Sequence, residues 1–128
     1  MVWLQYLIFA VVVLLLIKKF LPVKGLENLT PRELEQLLES PKGSQFIDVR
    51  EKHEFTGGHI KGFKNIPLSE FSKRVQEMDR NSRVVLTCQS GMRSRRAASI
   101  LKKNGFQSIS HLKSGVSGWH SSFVKGNK

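Results

Sequence analysis

The hydrophobic and polar positions divide the chain into an apolar N-terminal segment and a longer region of short alternating elements. Residues 2–17, VWLQYLIFAVVVLLLI, carry no charge and only one strongly polar side chain, Gln5. An uncharged run of this kind is typical of a membrane-spanning helix. These residues would span roughly 24 Å as a helix, and the flanking residues up to Leu21 bring it close to the about 30 Å of a bilayer core. We therefore expect one transmembrane anchor over residues 1–21.

Charge around this segment predicts its orientation. Lys18, Lys19 and Lys24 follow the apolar run, whereas the N-terminal flank offers only the α-amino group. Because positive flanks stay on the inner side, the rest of the chain is expected on the cytoplasmic side, with the lipid bilayer as a partner. A cleaved secretory signal is the alternative, but no basic segment precedes the run and no small-x-small cleavage site follows it.

A linker and a capped helix are predicted next. Residues 22–28 contain a proline and a glycine, which is typical of a linker. Thr30 precedes Pro31, and Glu33 lies three residues after Thr30, which is the arrangement of a helical capping box. Leucines at helical spacing follow, so this helix is expected to end near Ser40.

The remaining chain alternates between strand-like and helix-like patterns. RVVLT is an apolar, β-branched run that suits a strand covered on both faces. Alternation of strands and helices favours an α/β fold with a parallel sheet flanked by helices, here a domain over residues 29–128. The predicted strands are 45–50, 83–87 and 107–112, the predicted helices are 68–78, 94–103 and 116–126, and residues 51–67 form a turn-rich passage.

Charge and metal-ligand spacing narrow the possible partners. The chain has 128 residues, with 21 Lys and Arg against 10 Asp and Glu, a net charge of +11. Such a balance suits an anionic substrate, a membrane surface or nucleic acid. No aromatic-interleaved basic stripe or zinc-finger spacing occurs, so we expect no nucleic-acid partner. His53 and Glu54 would need a second histidine at position 57 to bind zinc, and that position is Gly57, so no metal site is expected.

Cys88 is the chain's only cysteine and lies between the predicted buried strand and the following helix. Ligands of α/β sheets bind beyond the carboxyl ends of strands, where helix N-terminal N–H groups attract anions. A loop that curls at Gly91 would aim N–H groups at the sulfur and favour the reactive thiolate. The alternative is an inert packed thiol, because free cysteines are often buried. Position alone does not choose between them.

Four segments together resemble the single-domain rhodaneses, sulfurtransferases that carry sulfur as a cysteine persulfide. They are FIDVRE, GGHIKGFKNIP, VVLTCQSGMRS and HLKSGVSGW, in the family's order, within a similarity that covers about residues 29–124. The resemblance implies a rhodanese-like fold in which Cys88 is the sulfur-carrying nucleophile. It also implies that Arg93 meets an anionic donor, and that the loop around the sulfur and donor consists of Gln89, Ser90, Gly91, Met92 and Arg93.

The resemblance assigns other residues to support. Asp48 and Arg50 are similar to a family pair that we interpret as structural. Phe63 stands where the family usually has a small residue, and Ser114 replaces the first of two adjacent glycines, so local geometry there is expected to differ. His59 is interpreted as a buried structural histidine, and no histidine is assigned a catalytic role.

The implied function is transfer of sulfane sulfur from a donor such as thiosulfate to a thiophilic acceptor, without metal or organic cofactor. Because Cys88 is the only thiol, the acceptor must be external: cyanide, a small thiol or a partner protein. One alternative is a membrane-tethered binding or sulfur-relay module. Another is a cysteine-dependent phosphatase or arsenate reductase, whose pattern places Arg six residues after Cys, whereas Arg93 lies five after Cys88.

Overall fold

The fold is built on one five-stranded parallel sheet. The computed structural model describes residues 2–20 and 23–127. Strand order is β1-β5-β4-β2-β3, and every neighbouring pair is parallel. The predicted α/β class with a parallel sheet is therefore confirmed. The strands are β1 Leu26–Leu29, β2 Ser44–Asp48, β3 Lys64–Asn65, β4 Arg83–Thr87 and β5 Ile109–Leu112.

Helices connect the strands and cover both faces of the sheet. The helices are α1 Val2–Phe20, α2 Pro31–Glu39, α3 Lys52–Gly57, α4 Leu68–Arg74 and α5 Met92–Lys103. Short 3₁₀ turns occupy Val75–Glu77 and Val116–Gly118. The capping box predicted for α2 is present: the Glu33 N–H donates to Thr30 Oγ1, and the Thr30 N–H donates to the Glu33 carboxylate.

The central strand β4 divides the core into two clusters. Val84 and Leu86 pack with α4 and α5 on one face, while Val85 packs on the other face with α2, α3 and Trp119. The side chains of Val84, Val85 and Leu86 are all fully buried. Because successive strand residues point to opposite faces, one apolar run serves both clusters, and each buried aliphatic side chain contributes about 1.5–3 kcal/mol.

The structure differs from the predicted elements in several places, among them β3, which lies in the predicted turn-rich passage, and the predicted helix 68–78, which ends in a 3₁₀ turn. β1 lies partly in the predicted linker 22–28, whose Glu27 and Asn28 give no apolar run because this edge strand is half exposed. α3 lies in the predicted turn-rich passage and begins with its own capping box, Glu51 with Glu54. The predicted helix 116–126 is only a 3₁₀ turn, because Gly118 and Trp119 leave the helical path.

The predicted transmembrane anchor is not supported. Residues 2–20 form the helix α1, but within the described residues no helix is both long and apolar enough to cross a membrane. The uncharged part of α1 ends at Ile17, and Lys18 and Lys19 follow it. The ends of the predicted anchor and the start of the linker, at positions 1, 21 and 22, lie outside the described residues.

Candidate functional site

Cys88 follows β4 directly, at the carboxyl edge of the sheet and next to the N-terminus of α5. Its side chain is 1% exposed. The Gly91 N–H donates to Cys88 Sγ at 3.0 Å and the Ser94 N–H donates at 3.4 Å. Two backbone donors at a helix N-terminus stabilise negative charge on sulfur.

The loop depends on close packing against the chain that follows β5. Gly91 has φ +98°, and a Cβ there would lie 2.3 Å from the Lys113 carbonyl oxygen. The Val116 N–H donates to the Cys88 carbonyl at 2.8 Å, and the Ser117 N–H donates to the Gln89 carbonyl at 3.0 Å. The segment after β5 therefore fixes the backbone that carries the sulfur.

The predicted loop residues fall into two groups. Gly91 is buried beside the sulfur, whereas Gln89, Ser90 and Met92 are exposed, Met92 to 53%. Arg93 lies between these groups and is partly exposed. The exposed side chains of Gln89, Ser90 and Met92 thus form the solvent-facing part of the loop.

Arg93 makes a bidentate ion pair with Glu54 of α3. Nη1 donates to Oε1 at 2.7 Å and Nη2 donates to Oε2 at 3.0 Å. Hydrogen bonding to Arg93 lowers the pKa of Glu54 to about 2. The Arg93 guanidinium, which is expected from the sequence to meet an anionic donor, is thus bound to the Glu54 carboxylate, and the pair ties α3 to α5.

We predict that Glu54→Gln lowers the free energy of unfolding by about 1 kcal/mol at pH 7, because it removes a partly exposed ion pair. The folded-state pKa of Glu54 lies below its usual 4.5, so this stabilisation is present above about pH 4.5 and disappears as pH falls towards 2. Urea unfolding across that range measures it. Glu39→Gln, at an exposed glutamate, is the matched control. A loss in Glu54→Gln that is independent of pH would contradict the pairing.

Asp48 and Arg50 form a buried ion pair at the end of β2. Arg50 Nη2 donates to Asp48 Oδ2 at 2.8 Å and to the Gly58 carbonyl at 2.9 Å. The Asn65 amide donates to the backbone carbonyls of both residues. These contacts join β2, β3 and the end of α3, and the supporting role of the pair stays a prediction.

The structure adds two buried residues that the sequence did not indicate, Ser94 and His111. Cys88 Sγ lies 3.6 Å from Ser94 Oγ, and Ser94 Oγ lies 2.7 Å from His111 Nδ1. His111 Nε2 lies 2.8 Å from Asn28 Oδ1. Burial lowers the pKa of His111 to about 4, and the nearby cations Arg95 and Lys113 act in the same direction, so the imidazole is neutral at pH 7.

The other predicted side chains take structural positions. His59 is fully buried, its ring stacks on Phe55 at 3.6 Å, and its Nδ1 lies 2.8 Å from the Phe55 carbonyl. Phe63 packs edge-on against Phe46 in the core. Across the described part of the chain, no group of three or more His, Cys, Asp or Glu side chains is placed to hold a metal ion.

A parallel sheet in this strand order, with a cysteine held by backbone donors between a strand and a helix, fits the rhodanese-like class of α/β domains. The rhodanese-like domain family model matches residues 30–122, and the chain belongs to this family.

Several known proteins are similar to this chain. Thiosulfate sulfurtransferase GlpE of Shewanella oneidensis is 30% identical over 98 residues, which cover 77% of this chain and 96% of that protein. Uncharacterized protein YqhL of Bacillus subtilis is 50% identical over 76 residues, which cover 59% of this chain and only 60% of that protein's length. The structure of human single-domain sulfurtransferase TSTD1 superposes with a TM-score of 0.64 at 25% identity, covering 72% of this chain and 93% of TSTD1.

Proposed function

We propose that this chain is a sulfurtransferase that carries sulfane sulfur as a persulfide on Cys88. The observation that carries the proposal is the placement of Cys88 Sγ, which accepts the Gly91 and Ser94 N–H groups at the start of α5. The similarity to a thiosulfate sulfurtransferase supports the same chemistry. Thiosulfate is the donor that we propose for this chain.

The proposed reaction has two steps, each a displacement at sulfur. The Cys88 thiolate attacks the outer sulfur of thiosulfate, the S–S bond of the donor breaks, and sulfite leaves with the bonding electrons. Cys88 then carries the transferred sulfur as a persulfide anion. A thiophilic acceptor attacks this outer sulfur, the Cys88 thiolate leaves, and the sulfur departs with the acceptor.

The loop would stabilise both anionic states of Cys88. The two N–H donors that face Cys88 Sγ in the structure can face both the thiolate and the persulfide, and the α5 dipole favours negative charge there. Gln89, Ser90 and Met92 are the proposed donor contacts, because they are the exposed part of the loop. Arg93 is proposed to act as a fixed positive charge near the sulfur rather than as a direct fork for the donor, since Glu54 holds it.

Persulfide release must use an acceptor from outside the chain, because Cys88 is the only cysteine. A small thiol, cyanide or a thiol of a partner protein supplies the required nucleophile. A phosphatase reaction is disfavoured by the side chain six residues after Cys88: Ser94 is buried there, and the nearest arginine is bound to Glu54. We expect no hydrolysis of aryl phosphates.

Steady-state kinetics with thiosulfate and cyanide test this function. A double-displacement mechanism predicts parallel double-reciprocal plots for thiocyanate formation when the two substrates are varied. Cysteine hydropersulfide as a second donor distinguishes a wrong donor from a wrong mechanism. Failure of both donors to form a persulfide would contradict the proposal, as would hydrolysis of an aryl phosphate through Cys88.

A further inference from the structure

A continuous row of polar atoms connects the buried sulfur, next to the central strand β4, to the edge strand β1. It runs from Cys88 Sγ through Ser94 Oγ and both ring nitrogens of His111 to the side chain of Asn28. Cys88 is 1% exposed, and Ser94 and His111 are fully buried, whereas Asn28 on the edge strand β1 is exposed. The row therefore joins a sulfur that has almost no contact with water to a side chain that solvent reaches.

We propose that Ser94 and His111 form a proton route by which the Cys88 thiol loses its proton to water at Asn28. This proposal rests on the proposed function, because it concerns how the nucleophile of that reaction is generated. His111 acts through Ser94 and is a positioning residue. Neither residue is required to contact the sulfur donor.

While Cys88 is a thiol, every hydrogen bond in the row is donated in the direction from Cys88 towards Asn28. The sulfur donates to Ser94 Oγ at 3.6 Å. The Ser94 hydroxyl lies 3.0 Å from the Gly91 carbonyl oxygen and 2.7 Å from His111 Nδ1, and in the row it donates to the closer acceptor, His111 Nδ1. Asn28 presents its carbonyl oxygen to His111 Nε2 at 2.8 Å, so this nitrogen carries the ring proton. In this direction the Ser94 hydroxyl is an acceptor for the thiol.

Loss of the thiol proton reverses the direction of the hydrogen bonds in the row, and no heavy atom of the His111 imidazole has to move. The thiol proton passes to Ser94 Oγ and the Ser94 proton passes to His111 Nδ1. The exposed Asn28 side chain turns away from Nε2, and the Nε2 proton passes to a water molecule that replaces the Asn28 carbonyl oxygen. The hydroxyl of Ser94 then donates to the thiolate, and His111 Nδ1–H donates to Ser94 Oγ. Asn28 can turn its amide so that the NH₂ group donates to the bare Nε2. One proton leaves the protein and the imidazole stays neutral throughout.

The surroundings of His111 favour a neutral ring in both states. The cations Arg95 and Lys113 oppose a positive ring, and its burial has the same effect. A neutral ring that changes which nitrogen is protonated can pass a proton on, whereas an imidazolium would be costly here.

Nitrogen-15 NMR of labelled histidine in the full chain tests the route without any sulfur donor. Raising the pH through the titration of the Cys88 thiol is expected to move the His111 proton from Nε2 to Nδ1, with the ring neutral on both sides. In Cys88→Ser and in Ser94→Ala the ring is expected to keep one tautomer over the same pH range. A tautomer that does not change in the wild type, or a His111 that is positively charged at pH 7, would overturn the proposal.

Alkylation of Cys88 by iodoacetamide gives a second readout. His111→Gln is expected to move the midpoint of the rate–pH profile upward by about one unit, because the thiolate loses the polarised Ser94 hydroxyl. His120→Gln, at an exposed histidine, is the matched control and is expected to leave the midpoint unchanged. An unchanged midpoint in His111→Gln would contradict the route even if sulfur transfer works. An intact route with no persulfide formation would instead contradict the proposed function.

Discussion

Cys88→Ser is expected to reduce thiocyanate formation from thiosulfate and cyanide by a factor on the order of 10³ or more. The serine hydroxyl can occupy the same position and accept the Gly91 N–H, but it is not ionised at neutral pH and cannot form a persulfide. The substitution therefore removes the reacting atom and leaves the surrounding loop. Initial rates at saturating donor and acceptor measure the effect.

The thermal unfolding midpoint of Cys88→Ser separates loss of chemistry from loss of structure. We expect it to stay within a few degrees of the wild type, because the change is nearly isosteric. Retained thiocyanate formation in a folded Cys88→Ser protein would contradict the assignment of Cys88, since the chain has no other thiol.

Gly115→Ala is expected to lower the free energy of unfolding by about 3 kcal/mol or more. Gly115 has φ +65° and ψ −170°, a region open essentially only to glycine. A Cβ would lie 2.4 Å from the backbone carbonyl of Gln89 and 2.6 Å from the Cys88 carbonyl oxygen. These are backbone atoms that cannot rotate away, so the cysteine loop itself must shift and sulfur transfer should fall with stability.

Gly43→Ala provides the control for backbone conformation alone. Gly43 has φ +85°, but a Cβ there meets no atom within 4 Å. Its substitution should cost about 1 kcal/mol from the positive φ and leave sulfur transfer unchanged. Urea unfolding of both variants gives the comparison. If Gly115→Ala lowers the free energy of unfolding no more than Gly43→Ala does, the inferred close contact between residue 115 and the cysteine loop is contradicted.

Local patterns were sufficient to predict the elements with strong sequence signals. β4 occupies residues 83–87 as predicted, because an apolar β-branched run suits a strand covered on both faces. The α2 capping box is specified by residues three apart, so the sequence alone indicates it. β1 and α3 were not predicted, because an edge strand and a six-residue helix bury too few side chains to give a clear hydrophobic periodicity in the sequence.

The candidate site also has a part that the sequence predicts and a part that only the tertiary structure shows. The position of Cys88 between strand and helix follows from nearby residues, and with it the loop that surrounds the sulfur. The contacts of Ser94, His111 and Asn28 do not, because Asn28 and His111 are 83 positions apart and meet only when β1 pairs with β5. The pairing of Arg93 with Glu54, 39 positions away, is likewise a product of tertiary structure.

Intact mass of the full chain after incubation with thiosulfate tests the central claim most directly. The account predicts a gain of one sulfur atom on the wild type and none on Cys88→Ser, and loss of that mass with release of thiocyanate when cyanide is added. A gain of the same mass on Cys88→Ser, or no gain on the wild type with either thiosulfate or cysteine hydropersulfide, would contradict a persulfide on Cys88.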